Sequence, residues 1–176
     1  LALSEDGQDR FFETFESYRD SIILRPADIS NSPTLADRFG VVAVNSAVEV
    51  DIYGHVNSTH VRGSRLLNGI GGSGDFNRNA AVSVVALPSI AKGGELSCIV
   101  PMVPHVDHTE HDIDVVVTEH GVADVRGTSP RERASLIINN CAHPDFKDDL
   151  RDYFDSAVES EGHIPHDLDR AYSWQS

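Results

Sequence analysis

The stretch Asn68-Gly-Ile-Gly-Gly-Ser-Gly-Asp-Phe76 sets four glycines within six residues ahead of an expected helix. Glycine turns freely through positive φ, so such a loop bares backbone N–H groups at a helix start, where anions and carbonyl oxygens bind. The chemistry open to it is contact with a phosphate or polarisation of a thioester carbonyl. The spacing of Gly69, Gly71, Gly72 and Gly74 is not that of the dinucleotide fingerprint. A tight strand-to-helix turn capped by Asp75 explains the composition equally well.

Two further stretches carry reactive side chains. Val48-Glu-Val-Asp-Ile-Tyr-Gly-His-Val-Asn-Ser-Thr-His60 puts Glu49 and Asp51 on one strand face ahead of a polar loop. Such acids can act as base or nucleophile, but more often they accept hydrogen bonds from loop amides. His105-Val-Asp-His-Thr-Glu-His-Asp112 has the composition of a metal site. Its histidines recur every three residues, whereas zinc ligands on one helix sit about four apart. Pro101 and Pro104 precede it, so loop hydrogen bonding and surface charge are the expected roles, and no metal is expected. Cys98 and Cys141 read as small buried hydrophobes.

The elements that must position these residues follow from periodicity. Phe11, Phe12, Phe15 and Tyr18 predict a helix over Gly7–Asp20, capped by Ser4 or Asp6. Ile22–Leu24 reads as a strand or extended link, and Ser32–Phe39 as a short capped helix closed by Gly40. Val41–Val44 reads as a buried strand, and Val48, Val50 and Ile52, alternating with acids, as a half-buried one. A helix over Asp75–Ala81 precedes strands at Val82–Leu87, Cys98–Val100 and Val115–Val117. Ser129-Pro130 opens a helix, and a second spans Asp145 to about Val158, with Phe146, Leu150, Tyr153, Phe154 and Ala157 on one face. The class is therefore α/β or α+β. Residues 161–176 read as a polar extended arm behind a domain over 1–160.

The chain has 176 residues, 40% of them hydrophobic, enough for a real core. Its formal charge of −14 repels phosphate backbones and anionic lipid, so neither nucleic acid nor a membrane is the expected partner. No apolar run approaches the roughly 18 residues of a span, and the expected setting is the cytoplasm. Only two of 14 basic residues are lysines, and 18 of 28 acids are aspartates. A surface of this kind stays hydrated in molar salt, so a halophilic source is expected. The start at Leu1, without Met, reads as a fragment or a processed chain.

Four words, Leu24-Arg-Pro-Ala-Asp-Ile-Ser-Asn31, Glu49 to His60, Asn68 to Phe76 and Thr118-Glu-His-Gly-Val-Ala-Asp-Val-Arg-Gly127, occur in the order of one family. Together they resemble the C-terminal part of the acetyl-CoA hydrolase and succinyl-CoA:acetate CoA-transferase family, from about Asp6 to Ala157. The resemblance implies an α/β fold, the C-terminal lobe of a two-lobed enzyme with a mixed or parallel sheet flanked by helices. It implies an acyl-CoA substrate, a small carboxylate or water as acceptor, and a homodimer. In the family a glutamate becomes a glutamyl-CoA thioester; here its position falls before Leu1, and neither Glu49 nor Glu119 matches it. Asn31 matches a side-chain oxyanion donor, Gly72 a backbone oxyanion donor, and Asn68 and Lys92 match coenzyme A contacts. The alternatives are a non-catalytic CoA-binding or subunit-interaction module and, third, a metal-dependent hydrolase built on His105, His108 and His111.

Overall fold

A computed structural model describes residues 3–175; Leu1, Ala2 and Ser176, at the ends of the expected domain and arm, lie outside the described residues. The chain divides into two units, Leu1–Ser32 and Pro33–Ser176. In the first, helix α1 (Glu5–Glu13) starts where Ser4 Oγ accepts the Gly7 N–H at 3.2 Å. The single helix expected to Asp20 breaks at Thr14, whose hydroxyl donates to Arg10 O at 2.6 Å. Back-bonding of this kind competes with the helical ladder. Helix α2 (Phe15–Tyr18) and a 3₁₀ turn follow, and the Phe11 ring meets Phe12, Phe15 and Tyr18. Ile22–Leu24 is an extended link, and α3 (Ala27–Ser30) ends this unit.

The second unit begins with α4 (Pro33–Phe39), closed by Gly40 at φ +61°. Strands β1 (Val42–Ser46), β2 (Glu49–Asp51), β3 (Val56–Asn57), β4 (His60–Val61) and β5 (Arg65–Leu66) lead to α5 (Ser73–Asn77). After it come β6 (Val82–Ala86), β7 (Ile90–Ala91), β8 (Leu96–Ser97), β9 (Ile99–Val100), β10 (Val115–Thr118) and β11 (Gly121–Asp124). Helices α6 (Pro130–Cys141), α7 (Pro144–Ala157) and α8 (Leu168–Ala171) complete it. The largest sheet is mixed, in the order β1-β6-β10-β11, with β1, β6 and β10 parallel and β11 antiparallel. A second sheet runs β3-β2-β9, and β4-β5 and β7-β8 are separate hairpins.

Two strand readings are reversed. The run at Val41–Val44, expected to be buried, is open on one face, with Val42 61% and Val44 66% exposed. It forms the edge strand β1 of the largest sheet. Strand β2, expected to be half-buried, is the central strand of its sheet and is buried on both faces, with its acids already hydrogen-bonded. The helix expected over Asp75–Ala81 is α5, starting earlier and ending at Asn77. Gly72 is its cap and Asp75 lies in its first turn. Asn79 Nδ2 donates to Asp75 O at 2.8 Å and the Ala81 N–H donates to Val41 O at 2.8 Å, which diverts the backbone into β6.

Helix α6 opens on a capping box between Ser129 and Glu132 and lays Ala134, Ile137, Ile138 and Cys141 on β10 and β11. Helix α7 packs on α6 through Leu150, Tyr153 and Ala157. The segment expected as an extended arm instead packs on the core. Tyr53 OH donates to Pro165 O, Tyr153 OH meets His166 Nδ1 at 2.8 Å, and Ala171 and Trp174 join the apolar cluster. Buried tyrosine hydroxyls need such partners. Among the described residues no helix is long and apolar enough to cross a membrane.

Candidate functional site

The glycine-rich loop lies between β5 and α5, turns at Gly71 (φ +58°), and ends at Gly72. Among the described residues the Gly72 N–H donates to nothing. Asn68 ties the loop down: its Nδ2 donates to Ser58 O at 2.9 Å and Gly69 O at 3.2 Å, while Leu67 N–H donates to Thr59 O at 2.8 Å. Asn45, Val48, Ser58, Asn68, Gly72 and Ser73 line a cleft of about 390 Å³ beside it. An unspent N–H on the wall of a polar cleft can take a carbonyl oxygen or an oxyanion.

The His-rich stretch braces this cleft. Asp107 accepts Ser58 N–H at 2.7 Å and the Thr59 hydroxyl at 2.8 Å, which fixes the carbonyl that holds Asn68. Burial raises the Asp107 pKa, but these donors and the nearby His105 outweigh it, so the carboxylate is held below its ordinary range. His108 is buried, and its Nε2 lies 3.0 Å from Ser73 Oγ. Because Ser73 donates its hydroxyl to Ile70 O at 2.7 Å, we assign the proton to His108 Nε2, which leaves Nδ1 buried without a partner among the described residues. Burial holds the His108 pKa below the usual value, so the ring is neutral near pH 7. The three rings diverge: His108 faces Ser73, the His105 ring lies against that of His60 with centroids 3.9 Å apart and planes tilted by 43°, and His111 faces Glu110.

Lys92 lines a second cleft, of about 290 Å³, with Leu96, Cys98 and Trp174. Val48 and Leu67 border both clefts, so Asn68, Gly72 and Lys92 lie along one surface of the second unit. Asn31 belongs to the first unit, where it ends α3 and its Oδ1 accepts Ser30 Oγ at 3.0 Å.

The remaining candidates serve the fold. Asp51 Oδ1 accepts the N–H groups of Tyr53 and His55, each at 3.0 Å, and Glu49 accepts Asn57 Nδ2 at 2.7 Å. Glu119 accepts the Ser89 N–H at 2.8 Å and its hydroxyl at 2.5 Å. Cys98 and Cys141 are buried, and burial pushes both thiols up to about 11. Sequence reasoning missed Ser58, Ser73, Asp107 and His108 as a linked brace. The alternation of His with Asp signalled hydrogen bonding there but named no partner.

Residues 7–154 match the family described as Acetyl-CoA hydrolase/transferase C-terminal domain. The chain is 58% identical over 177 residues to the succinyl-CoA:acetate CoA-transferase of Clostridium kluyveri, covering 100% of this chain and 33% of that protein. It is 49% identical over 181 residues to the acetyl-CoA hydrolase of Schizosaccharomyces pombe, covering 98% of this chain and 35% of that one. A solved structure of 4-hydroxybutyrate CoA-transferase from Porphyromonas gingivalis superposes with a TM-score of 0.58 at 33% identity, over 75% of this chain and 31% of that one. The chain thus spans about a third of the length of these relatives.

Proposed function

The chain belongs to the acetyl-CoA hydrolase/transferase family through its C-terminal domain, and from that premise we propose that it is the part of an acyl-CoA transferase or acetyl-CoA hydrolase that holds the thioester carbonyl and coenzyme A. The observation that carries this is the common surface of Asn68, Gly72 and Lys92, with the Gly72 N–H unspent on its wall. Gly72 N–H is the backbone donor to the developing oxyanion. Asn31 Nδ2 is the side-chain donor, each donor lowering the barrier by about 3 to 4 kcal/mol. Asn68 and Lys92 hold coenzyme A.

The nucleophile is a glutamate upstream of Leu1. Its carboxylate attacks the acyl carbon and expels CoA thiolate, giving a mixed anhydride. The thiolate then attacks the glutamyl carbonyl, releasing the free carboxylate and leaving a glutamyl-CoA thioester. A second carboxylate or water resolves it, which separates transferase from hydrolase. The working assembly is a homodimer in the cytoplasm, and the acidic, Lys-poor composition suits a halophilic source.

The test is peptide mass spectrometry of the full-length protein after incubation with acetyl-CoA. The expected result is a CoA thioester on a glutamate preceding Leu1. A thioester on Glu49 or Glu119, or turnover by this chain alone, would displace the upstream nucleophile. Coenzyme A binding without any turnover would favour the non-catalytic module.

A further inference from the structure

Two hairpins in the second unit each turn on a cation held in left-handed backbone. After β4, Arg62 has φ +52° and Gly63 +66°; after β7, Lys92 has φ +48° and Gly93 +69°. Arg62 and Lys92 are the two non-glycine residues with positive φ among the described residues. Residues with a Cβ avoid that region, and where they are held in it they cluster at ligand clamps. The Arg62 turn is fixed from outside, because a Cβ on Gly63 would lie 2.8 Å from Pro104 Cβ.

Both side chains line the same cleft of about 290 Å³, whose other walls include Leu67, Leu96 and Trp174. Neither cation pairs with a carboxylate among the described residues, in a chain where acids outnumber bases 28 to 14. Glu49, the acid of this cleft, is buried and accepts Asn57 Nδ2. An unpaired guanidinium and ammonium beside an indole and aliphatic walls suit a phosphorylated heterocycle. Arginine grips phosphate with a planar fork, whereas lysine offers a point charge.

We propose that Arg62 is a second phosphate ligand beside Lys92, and that this cleft takes the phosphorylated nucleotide end of coenzyme A. The inference rests on the coenzyme A reading above and adds to it a residue and a subsite. The thioester end of the same ligand then extends past Val48 and Leu67 toward Gly72.

The test uses the full-length protein at one fixed ionic strength, with acetyl-CoA and with acetyl-pantetheine, which keeps the thioester arm but lacks the nucleotide. Arg62→Asn removes the charge and places there a residue that tolerates left-handed backbone. It should raise KM for acetyl-CoA about ten-fold with kcat unchanged, and leave both constants for acetyl-pantetheine as they were. Arg62→Lys should restore most of the loss. Equal effects on the two substrates would mark a merely structural turn and overturn the proposal, as would no effect on either. If Lys92→Ala raises KM for acetyl-CoA and Arg62→Asn does not, the subsite falls while the coenzyme A reading stands. If the wild-type protein neither binds nor turns over acetyl-CoA, that reading fails and the subsite falls with it. ADP should inhibit the wild type far better than inorganic phosphate; equal inhibition would reveal a bare anion site and overturn the nucleotide assignment.

Discussion

On the function proposed above, Asn31 and His108 would act on the chemistry at different removes, and their substitutions should look different. A side-chain oxyanion donor works mainly in the transition state, so Asn31→Ala in the full-length protein should lower kcat by roughly 10² to 10³ and change KM little. A loss confined to KM would contradict the role. His108 works through Ser73, whose hydroxyl it holds at 3.0 Å next to Gly72. His108→Ala frees that turn and should lower kcat roughly ten- to a hundred-fold, since small misplacements of a donor are costly. His108→Gln offers an N–H to the same oxygen and should recover much of it; Gln behaving like Ala would argue for packing alone. The pH consequence has a definite sign. His108 is folded with a pKa below its unfolded value of about 6.5. Below that value the unfolded chain binds the proton more readily, so stability falls on acidification through the interval between the two pKa values. His166, also held low by burial, adds to this loss. His55 opposes it: burial lowers its pKa, but Asp51 and Glu110 raise it more, so its contribution is full in acid and lost as pH rises through its folded pKa. Urea titrations from pH 7 to 5 should show a shallower loss in His108→Gln than in the wild type.

Local signals at the scale of the element were as good as their terms were local. Ser129, Pro130 and Glu132 announced α6 because a capping box needs only four consecutive residues. Ser129→Ala should therefore cost about 1 kcal/mol, read as a lower urea midpoint at an unchanged m-value; no shift would mean that packing on β10 and β11 alone holds α6. Burial was less legible, because it depends on which strands become neighbours. The apolar run at β1 has one face open and the alternating run at β2 is buried on both, so each carries the opposite pattern from its burial. The tail misled for a similar reason. Its polar composition hides Ile164, Ala171 and Trp174, and nothing in it foretells that Tyr53, more than a hundred residues earlier, reaches Pro165. Words in order singled out the glycine loop and Lys92 as candidates, whereas the brace from Asp107 and His108 spans 35 to 49 residues of sequence and is visible only once folded.

The net charge of −14 acts on the whole molecule. With 28 acids against 14 bases, the folded chain concentrates like charges that the unfolded chain spreads apart, so repulsion favours unfolding when it is unscreened. The Debye length is about 30 Å in 0.01 M salt and about 3 Å in 1 M. Most of the repulsion should therefore vanish within that range. The ion pairs offset little of this: Arg19–Glu16, Arg126–Asp124 and Arg151–Asp148 are exposed and close in sequence, Arg170–Asp152 is distant in sequence but also exposed, and Arg78–Asp112 joins an exposed guanidinium to a mostly covered carboxylate at a long 3.4 Å; exposed pairs contribute about 0 to 1 kcal/mol each before screening. Raising KCl from 0.01 to 1 M should accordingly raise Tm by several degrees, with the steepest gain at low concentration. If the composition reflects a halophilic source, stability should keep rising toward 3 M, beyond the point where screening is complete. KCl and NaCl should be compared with sucrose to separate ion effects from surface exclusion. A Tm that is flat or falling between 0.01 and 1 M would show that the acids are already compensated in the fold, and would remove the halophilic reading.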